Sequence, residues 1–511
     1  MNRFKHFQTE NHQRKSSEKM NWIIPVILLV VLIFIYVISF NDGTDRSSNM
    51  KIIQGPRPLP IIGNLHMVDL QKLHKSLVEM SKIYGPIYRI HLGNIKAVVL
   101  SGYETVKDAL VNHADEFAER PVVQMFQEIH HGFGIVFSRG NNWKTMRRFT
   151  LATLKDFGMG KRSIEERIAE ECRFLIQYFE LQKGEPFNVS VVLNSAATNV
   201  ITSVVFGSRF DYDNPLLFRL ASLVNETLKL LGSPKTLLYN MVPAYRFLPG
   251  DYKPIMMNVH ELQSFLRKTF LEHLQKLDRD DQRSFTDAFL VRQQQEKEDP
   301  NSYFHDNNLI SVLTTLLMAG TETTAGTLRW GLLLMAVYPD IQSKVQEEIE
   351  RVIGTAQPRT EHRKQMPYTD AIIHEIQRFA NIVPLNLPRE TTVDITFKGY
   401  FIPKGTYIIP LLESVLRDKT QFEKPNEFNP QHFLDKEGKF VKQEAFMPFS
   451  AGRRVCLGET LAKMELFLFF VGLLQKFTFH PPPGLTRANI MPETGFTSPP
   501  QSQKICAISR F

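Results

Sequence analysis

Apolar residues recur every three to four positions along most of the chain, which is the spacing of one face of an α-helix. This pattern predicts helices over residues 70–83, 104–114, 163–182, 259–277, 308–338, 341–353, 368–379 and 459–477. Strand-like patterns are short and lie at 87–93, 96–102 and 393–410, the last with the turn signals of a hairpin. No internal repeat or low-complexity linker divides this part of the chain. The sequence therefore predicts one large, mainly α-helical domain with a small β-sheet region.

Residues 22–40 read "WIIPVILLVVLIFIYVISF" and carry no charge, so the segment is long enough to cross a bilayer as a helix. The alternatives are a buried core helix and a cleaved signal peptide, but the segment lacks the small residues of a cleavage site. We expect a polar extension at 1–21, a transmembrane anchor at 22–40, a linker with a proline-rich hinge at 41–64 and the main domain at 65–511. The hinge prolines favour an extended segment, although an irregular loop could have the same proline-rich sequence.

The basic residues around the anchor predict on which side of the membrane the main domain lies. Five precede the anchor and three follow it, namely Arg3, Lys5, Arg14, Lys15 and Lys19, then Arg46, Lys51 and Arg57. The positive-inside rule would keep this N-terminus in the cytosol and send the main domain into the lumen. A start at Met20 would remove the five preceding basic residues. The charge bias that sends the main domain into the lumen would then be lost.

The composition limits the class of partner. The net charge is +8 and the pI is near 9.1, which suits nucleic acid, an anionic membrane or an acidic protein. No basic block interleaved with aromatic residues is present, so we expect no nucleic-acid partner. Phenylalanine is abundant at 38 residues, which suits a large apolar interior. The three cysteines are odd in number and far apart, which argues against a disulfide framework and favours a reducing compartment.

One cysteine stands in an unusual setting, the stretch "FSAGRRVCLGE" at 449–459. A free cysteine is usually a small packed hydrophobic residue. Around Cys456, however, Gly452 and Gly458 allow the backbone to approach a flat object closely. The N-terminus of the following predicted helix would stabilise a thiolate, and Arg454 is placed for another anion. This combination suits a thiolate ligand to haem iron with an arginine on a haem propionate.

The same stretch resembles the haem-binding loop of the cytochromes P450. All five fixed positions of that loop match, at Phe449, Gly452, Arg454, Cys456 and Gly458. The resemblance implies the cytochrome P450 fold and haem b as cofactor. Cys456 would then be the axial metal ligand, and Phe449, Arg454 and Gly458 would contact the cofactor.

A second stretch, "LLMAGTETTAG", lies in the longest predicted helix. Ala319 and Gly320 remove side-chain bulk, which would let the helix pass close to a haem face. A threonine in mid-helix can donate back to a carbonyl one turn earlier and open the helix locally. An ordinary polar helix face would look the same. By resemblance to the oxygen-activating motif of the family, Thr323 and Glu322 are the catalytic proton-delivery pair.

Glu375 and Arg378 in "HEIQRFA" share one helix face at i, i+3 spacing. Such a pair is most often an exposed salt bridge that contributes little to the stability of the fold. In the family that the chain resembles, it is a buried pair that braces the haem loop. His432 in "NPQHF" stands where many members of that family have an arginine as the third partner.

Four further residues are assigned to the haem propionates. Trp143 and Arg147, in "NNWKTMRRF", lie four residues apart and can bind one anionic group together. By resemblance they face a propionate, as does Arg389 in "NLPRETT". His131, in "HHGFGIVF", falls where related sequences often carry an arginine, and we expect it to bind there too.

Further stretches, such as "GPRPLPIIGNL", "FAERP" and "GYFIPKGT", look like the second family of vertebrate microsomal P450s, with a likeness to fish-type hydroxylases of fatty acids or foreign compounds. The resemblance implies a monooxygenase of lipophilic substrates, such as fatty acids, steroids or xenobiotics. Electrons would come from NADPH through NADPH–cytochrome P450 reductase, with cytochrome b5 as a second partner. It also implies a single-pass protein of the endoplasmic reticulum membrane with its catalytic domain in the cytosol.

Two other functions fit the same fold. One is a lipid isomerase or dehydratase that does not use dioxygen, and the other is a membrane haem protein that senses a gas or carries a lipid. The presence of Glu322 and Thr323 argues against the first. Together with Glu375 and Arg378, they argue for turnover rather than sensing. Consumption of NADPH with substrate separates these alternatives.

Overall fold

The computed structural model describes residues 25–32, 34, 51–247, 252–484 and 489–511. Its α-helices, α1 to α15, are Leu73–Tyr84, Tyr103–Lys107, Gln124–His130, Gly140–Asp156, Arg162–Glu180, Val189–Phe206, Pro215–Leu231, Pro234–Met241, Tyr252–Gln275, Phe285–Gln295, Asp306–Val337, Pro339–Val352, Pro367–Ala380, Leu412–Leu416 and Glu459–Lys476. Its strands, β1 to β9, are Ile87–Leu92, Ile95–Leu100, Phe187–Asn188, Arg389–Glu390, Ile395–Phe397, Tyr400–Ile402, Tyr407–Pro410, Phe477–His480 and Lys504–Ser509. Short 3₁₀ turns lie at Leu65–Met67, Leu70–Lys72, Pro243–Phe247, Thr360–Gln365, Pro430–Phe433 and Gly452–Arg454, and a π-turn lies at Asp108–Asn112.

The strands form three small sheets, in the orders β1-β2-β7-β4, β3-β9-β8 and β5-β6. The predicted hairpin at 393–410 is only partly correct. β5 and β6 pair as expected, with Thr396 opposite Phe401. β7 leaves this hairpin and runs parallel to β2, with Ala97 opposite Tyr407. Gly405, at φ 79°, lies in the turn that redirects the chain between the two sheets.

The long helix α11 passes through the middle of the molecule and packs against α6, α7, α9, α13 and α15. Its sequence prediction, 308–338, is confirmed to within two residues. The sequence pattern did not reveal α6. Nearly every side chain of α6 is buried, so its apolar residues do not alternate with polar ones at the helical period. The expected mainly α-helical fold with small sheets is thus confirmed.

Part of the predicted membrane anchor lies within the described residues. Residues 25–32 and 34 are helical, and their large apolar side chains are between 45% and 65% exposed. The rest of the anchor, the 1–21 extension and the 41–50 linker lie outside the described residues. Among the helices that the structure describes, α6 meets the length and hydropathy criteria for a membrane span, but 89% of it is buried within the protein.

The proline-rich segment lies against the sheet. The backbone N–H of Arg89 in β1 donates to the carbonyl of Gln54 (2.9 Å), and that of Asn64 donates to the carbonyl of His91 (2.6 Å). A Cβ built on Gly55 would lie 2.1 Å from the carbonyl oxygen of Arg89. The segment is therefore docked on the main domain from residue 54 onwards.

Candidate active site

The cysteine-bearing loop connects the 3₁₀ turn at Pro430–Phe433 to α15, and Gly452 fixes its path. Gly452 has φ 73°, and a Cβ added to it would lie 1.8 Å from the carbonyl oxygen of Leu110. A side chain would therefore require the backbone to shift. Further along, the backbone N–H of Cys456 donates to the carbonyl of Phe449 (3.0 Å), which closes the loop. The predicted need for glycine at 452 thus comes from a close approach to Leu110.

The Cys456 thiol lies just ahead of α15 and faces an interior cavity. Its side chain is exposed, but the exposed surface belongs to this cavity rather than to bulk solvent. Burial within the protein raises the pKa of the thiol. The backbone N–H groups of Gly458 and Glu459, which point at the sulfur, and the charge of Arg147 act in the opposite direction. These donors suit a thiolate ligand, as expected from the helix N-terminus.

Gly458 also lines the cavity. A Cβ built on it meets no atom within 4 Å, and its φ of −87° is open to any residue. Neither the backbone conformation nor a neighbouring protein atom therefore requires glycine here. Since the missing side chain leaves free space beside Cys456, the position suits close approach of a flat ring to the backbone.

Three arginine side chains line the same cavity, Arg120, Arg147 and Arg454. Arg389 is buried beside them, close enough for their charges to act on it. Burial lowers the pKa of Arg389 well below its usual range, and the charges of the other three lower it further. Burial and the charge of Arg120 also lower the pKa of Arg454, to about 8. Such a concentration of buried positive charge favours the binding of anions.

Two polar atoms in this cluster are buried without a partner, namely Nε1 of Trp143 and Nε of Arg389. The guanidinium of Arg454 stacks on the Trp143 ring at 3.6 Å, and Arg147 donates to the carbonyl of Val455 (2.7 Å). Buried donors are almost always hydrogen-bonded in native proteins. Two unpaired donors among four cations fit the two carboxylates of haem, which indicates that these residues can hold that cofactor.

Arg120 is the member of this cluster that the sequence analysis did not assign. It donates to the carbonyls of Val136 (3.1 Å), Leu387 (3.0 Å) and Pro388 (2.6 Å). These partners come from remote parts of the chain, so neither spacing nor helical period could reveal them. The available signal is its place in "FAERP", a stretch that resembles the second P450 family but whose residues have no role that their spacing predicts.

The structure does not bring His131 to the arginine cluster, where the sequence analysis expects it. His131 is exposed and does not line the cavity. It caps α3 in the left-handed conformation, at φ 51°. Because this conformation turns the chain sharply, the preceding residue, His130, faces the cavity instead.

Helix α11 contributes Thr323 to the cavity. Its hydroxyl donates to the carbonyl of Ala319 one turn earlier (2.7 Å), as the sequence analysis expected for a mid-helix threonine. Ala319 and Gly320 both line the cavity, as expected for small residues on this helix face. Gly320 has a second role, because a Cβ on it would lie 2.4 Å from Cδ1 of Ile201, so its small size lets α6 and α11 pack closely.

Glu322 points between helices α6 and α11, away from the cavity. One carboxylate oxygen accepts from Nδ2 of Asn194 (2.9 Å), and the other forms an ion pair with Arg329. Burial raises the pKa of Glu322, while the charge of Arg329 and the hydrogen bonds from Asn194 and Arg329 lower it. The predicted pair therefore occupies two different environments, with Thr323 alone in contact with the cavity.

The Glu375–Arg378 pair is fully buried. Two parallel hydrogen bonds of 2.7 Å join the side chains. Arg378 also donates to the carbonyls of Leu416 (3.0 Å), Pro425 (2.7 Å) and Glu427 (2.8 Å). Nδ1 of His432 lies 3.1 Å from a Glu375 oxygen, so the expected three-membered arrangement is present.

The two remaining cysteines, Cys172 and Cys506, are buried.

The chain matches the family model described as Cytochrome P450 over residues 53–507. Cytochrome P450 2K6 of Danio rerio is 49% identical to it over 495 residues, which is 95% of this chain and 97% of that protein. Cytochrome P450 2K1 of Oncorhynchus mykiss is 48% identical over 497 residues, with 95% and 97% covered. Cytochrome P450 2F2 of Mus musculus is 47% identical over 429 residues, with 84% and 87% covered.

Proposed function

The chain belongs to the cytochrome P450 family, and from this premise we propose that this haem-dependent monooxygenase oxidises lipophilic molecules such as fatty acids, steroids or xenobiotics. Electrons come from NADPH through NADPH–cytochrome P450 reductase, with cytochrome b5 as a second donor. The relatives named above all carry the number of the second family, as the sequence resemblance indicated. One observation carries the proposal. Cys456, Thr323 and three arginines, Arg120, Arg147 and Arg454, line one cavity, and Arg389 lies beside those arginines.

Cys456 would hold the haem iron through Sγ, and the backbone N–H groups of Gly458 and Glu459 would stabilise the thiolate charge. Nε1 of Trp143 and Nε of Arg389 would each find a propionate oxygen to bind. Bound haem supplies the activation of dioxygen and the transfer of one oxygen atom to the substrate. The second atom is released as water, which requires two electrons from NADPH and two protons that the protein relays from solvent.

Thr323 is suited to hold a proton donor in the cavity. Its hydroxyl hydrogen is committed to the carbonyl of Ala319, so the lone pairs of Oγ1 remain to accept a hydrogen bond. A water molecule held there would be fixed in orientation for proton transfer. Glu322 completes the proposed pair as its acid. To give up a proton to the cavity, its carboxyl must first turn away from Arg329 and Asn194.

A mixed panel of a fatty acid, a steroid and a drug, incubated with the holoenzyme, reductase and NADPH, tests this function. We expect NADPH-dependent products that carry one labelled oxygen atom when the dioxygen is isotopically labelled. Products formed without NADPH would favour the isomerase or dehydratase, and haem binding without turnover of any compound would favour the sensor or carrier. The Cys456→Ala variant is the control, because it should lose both the products and the thiolate-type Soret band of the reduced carbon monoxide complex.

We further propose a single-pass location in the endoplasmic reticulum membrane, with the catalytic domain in the cytosol. The exposed apolar helix at 25–32 supports an anchor. Leu59, Ile61 and Ile62, in the proline-rich segment that follows the predicted anchor and linker, are exposed and would extend the membrane contact. Protease treatment of sealed microsomes decides the orientation, since a cytosolic domain is degraded without detergent and a lumenal one is protected.

Lys144 and Arg148 are exposed on α4, the helix that presents Arg147 to the cavity. They are therefore the cations that we propose for docking an acidic flavoprotein. Arg453, the third candidate, already pairs with Asp115 at 2.6 and 2.9 Å. Lys144→Glu should raise the reductase concentration needed for half-maximal turnover, whereas Lys404→Glu in the β6–β7 turn should not.

A further inference from the structure

His130 is a buried polar residue in the wall of the cavity. It is the last residue of α3, lines the cavity and is 8% exposed. Its Nδ1 is buried without a hydrogen-bond partner. Leaving such an atom unpaired costs about 1–3 kcal/mol, so its retention in a native protein requires an explanation.

The surroundings of His130 are aromatic. Its ring lies parallel to Phe126 at 6.5 Å, and Phe126 stacks on Phe137 at 3.9 Å. Phe496 contacts Phe126 at 5.7 Å, and all three phenylalanines line the cavity. The imidazole is thus a polar group placed among three phenylalanine rings. A few polar groups in a mostly apolar pocket are what orient a bound small molecule.

The charge state of His130 limits what it can bind. Burial lowers its pKa to about 4, and the neighbouring His131 acts in the same direction. At neutral pH the ring is therefore uncharged and offers one N–H donor and one lone pair. A carboxylate placed beside it would lose its hydration without gaining a countercharge, which is unfavourable. An uncharged oxygen would gain a hydrogen bond at little cost.

We propose that His130 is a specificity-determining residue that binds an uncharged hydroxyl or carbonyl oxygen of a lipophilic substrate. This inference rests on the proposed oxidation of lipophilic molecules and narrows the substrate class. It favours alcohols, ketones and other neutral oxygenated lipids over the anions of fatty acids.

The test compares dissociation constants of n-octane, 1-octanol, 2-octanone and octanoate for the holoenzyme, measured by the shift of the haem Soret band on ligand binding. In His130→Phe we expect octanol and octanone to bind about tenfold more weakly than in the parent, the loss expected for one hydrogen bond. Binding of octane and of octanoate should not weaken. The matched control is His131→Phe next in the chain, which should leave all four constants unchanged.

An equal change for octane and octanol would overturn the proposal, as would a loss confined to octanoate. Thermal unfolding of the haem-containing parent and variant is a second measurement. Because phenylalanine removes an unpaired polar atom, the variant should be at least as stable as the parent. If His130→Phe fails to incorporate haem, His130→Leu carries the same expectations. The reduced carbon monoxide spectrum and NADPH-dependent turnover of the parent test the proposed function separately.

Discussion

Glu375 and Arg378 form two parallel hydrogen bonds of 2.7 Å, and neither side chain is exposed to solvent. Removing one partner leaves the other as an uncompensated buried charge, which costs about 3–5 kcal/mol. We therefore expect Arg378→Leu to abolish the folded, haem-containing protein, measured as haem content per chain. Glu79→Gln is the matched control. It breaks an exposed pair with Lys82 at the same i, i+3 spacing and should cost about 0.5 kcal/mol or less.

Gly452→Ala should displace the cysteine loop, because the new Cβ would lie 1.8 Å from the carbonyl oxygen of Leu110. The expected result is a loss of the thiolate-type Soret band in the reduced carbon monoxide complex, with a loss of stability of about 1–3 kcal/mol. Gly438→Ala has nearly the same backbone φ, 77°, but meets no atom within 4 Å. A similar spectral loss in that control would mean that backbone conformation, and not the contact with Leu110, explains the glycine.

Gly458→Ala should separate folding from cofactor binding. The new methyl group meets no protein atom within 4 Å, so thermal unfolding of the haem-free protein should change by less than about 1 kcal/mol. Because the methyl group would occupy space beside Cys456, haem should dissociate faster. The measurement is transfer of haem to an excess of an acceptor protein. An unchanged transfer rate would contradict the assignment of Gly458 to haem contact.

Thr323→Ala should keep the thiolate-type spectrum but form about tenfold less product per NADPH consumed, as expected from the loss of one hydrogen bond of about 1.4 kcal/mol in the cavity. Thr314→Ala removes an equivalent 2.7 Å hydrogen bond, to the carbonyl of Ile310, at a position that does not line the cavity. Both variants should lose similar stability, and only Thr323→Ala should form less product per NADPH consumed. An equal ratio of product to NADPH in the two variants would argue against a proton role for Thr323.

Gly320→Ala should destabilise the protein by about 1–3 kcal/mol through contact with Ile201. Ile201→Ala removes the two atoms that the new Cβ would approach most closely, Cδ1 at 2.4 Å and Cγ1 at 2.6 Å. The double variant should therefore be more stable than the sum of the single changes predicts, by about 1 kcal/mol or more. Chemical denaturation of the three variants measures this coupling. Additive effects would show that α6–α11 contact is not the reason for the glycine.

The sequence predicted residues whose role depends on local spacing. Glu375 and Arg378 lie on one helix turn, and Gly452 precedes Cys456 in one loop, so both could be identified from neighbouring residues. Arg120 could not, because its partners lie up to 268 positions away in the chain. The choice between His130 and His131 depended on one left-handed residue, which a sequence pattern does not specify. The close contact between Gly320 and Ile201 depends on where α6 packs, which the sequence pattern did not reveal.

The arginine cluster links the amount of enzyme to the supply of its cofactor. Arg120, Arg147, Arg389 and Arg454 come from four separate regions of the chain and repel one another once the fold brings them together. An anionic ligand that relieves this repulsion stabilises the folded chain by mass action. A cell short of haem would therefore contain less folded enzyme as well as less activity, because the unliganded chain would be the form most readily unfolded and degraded.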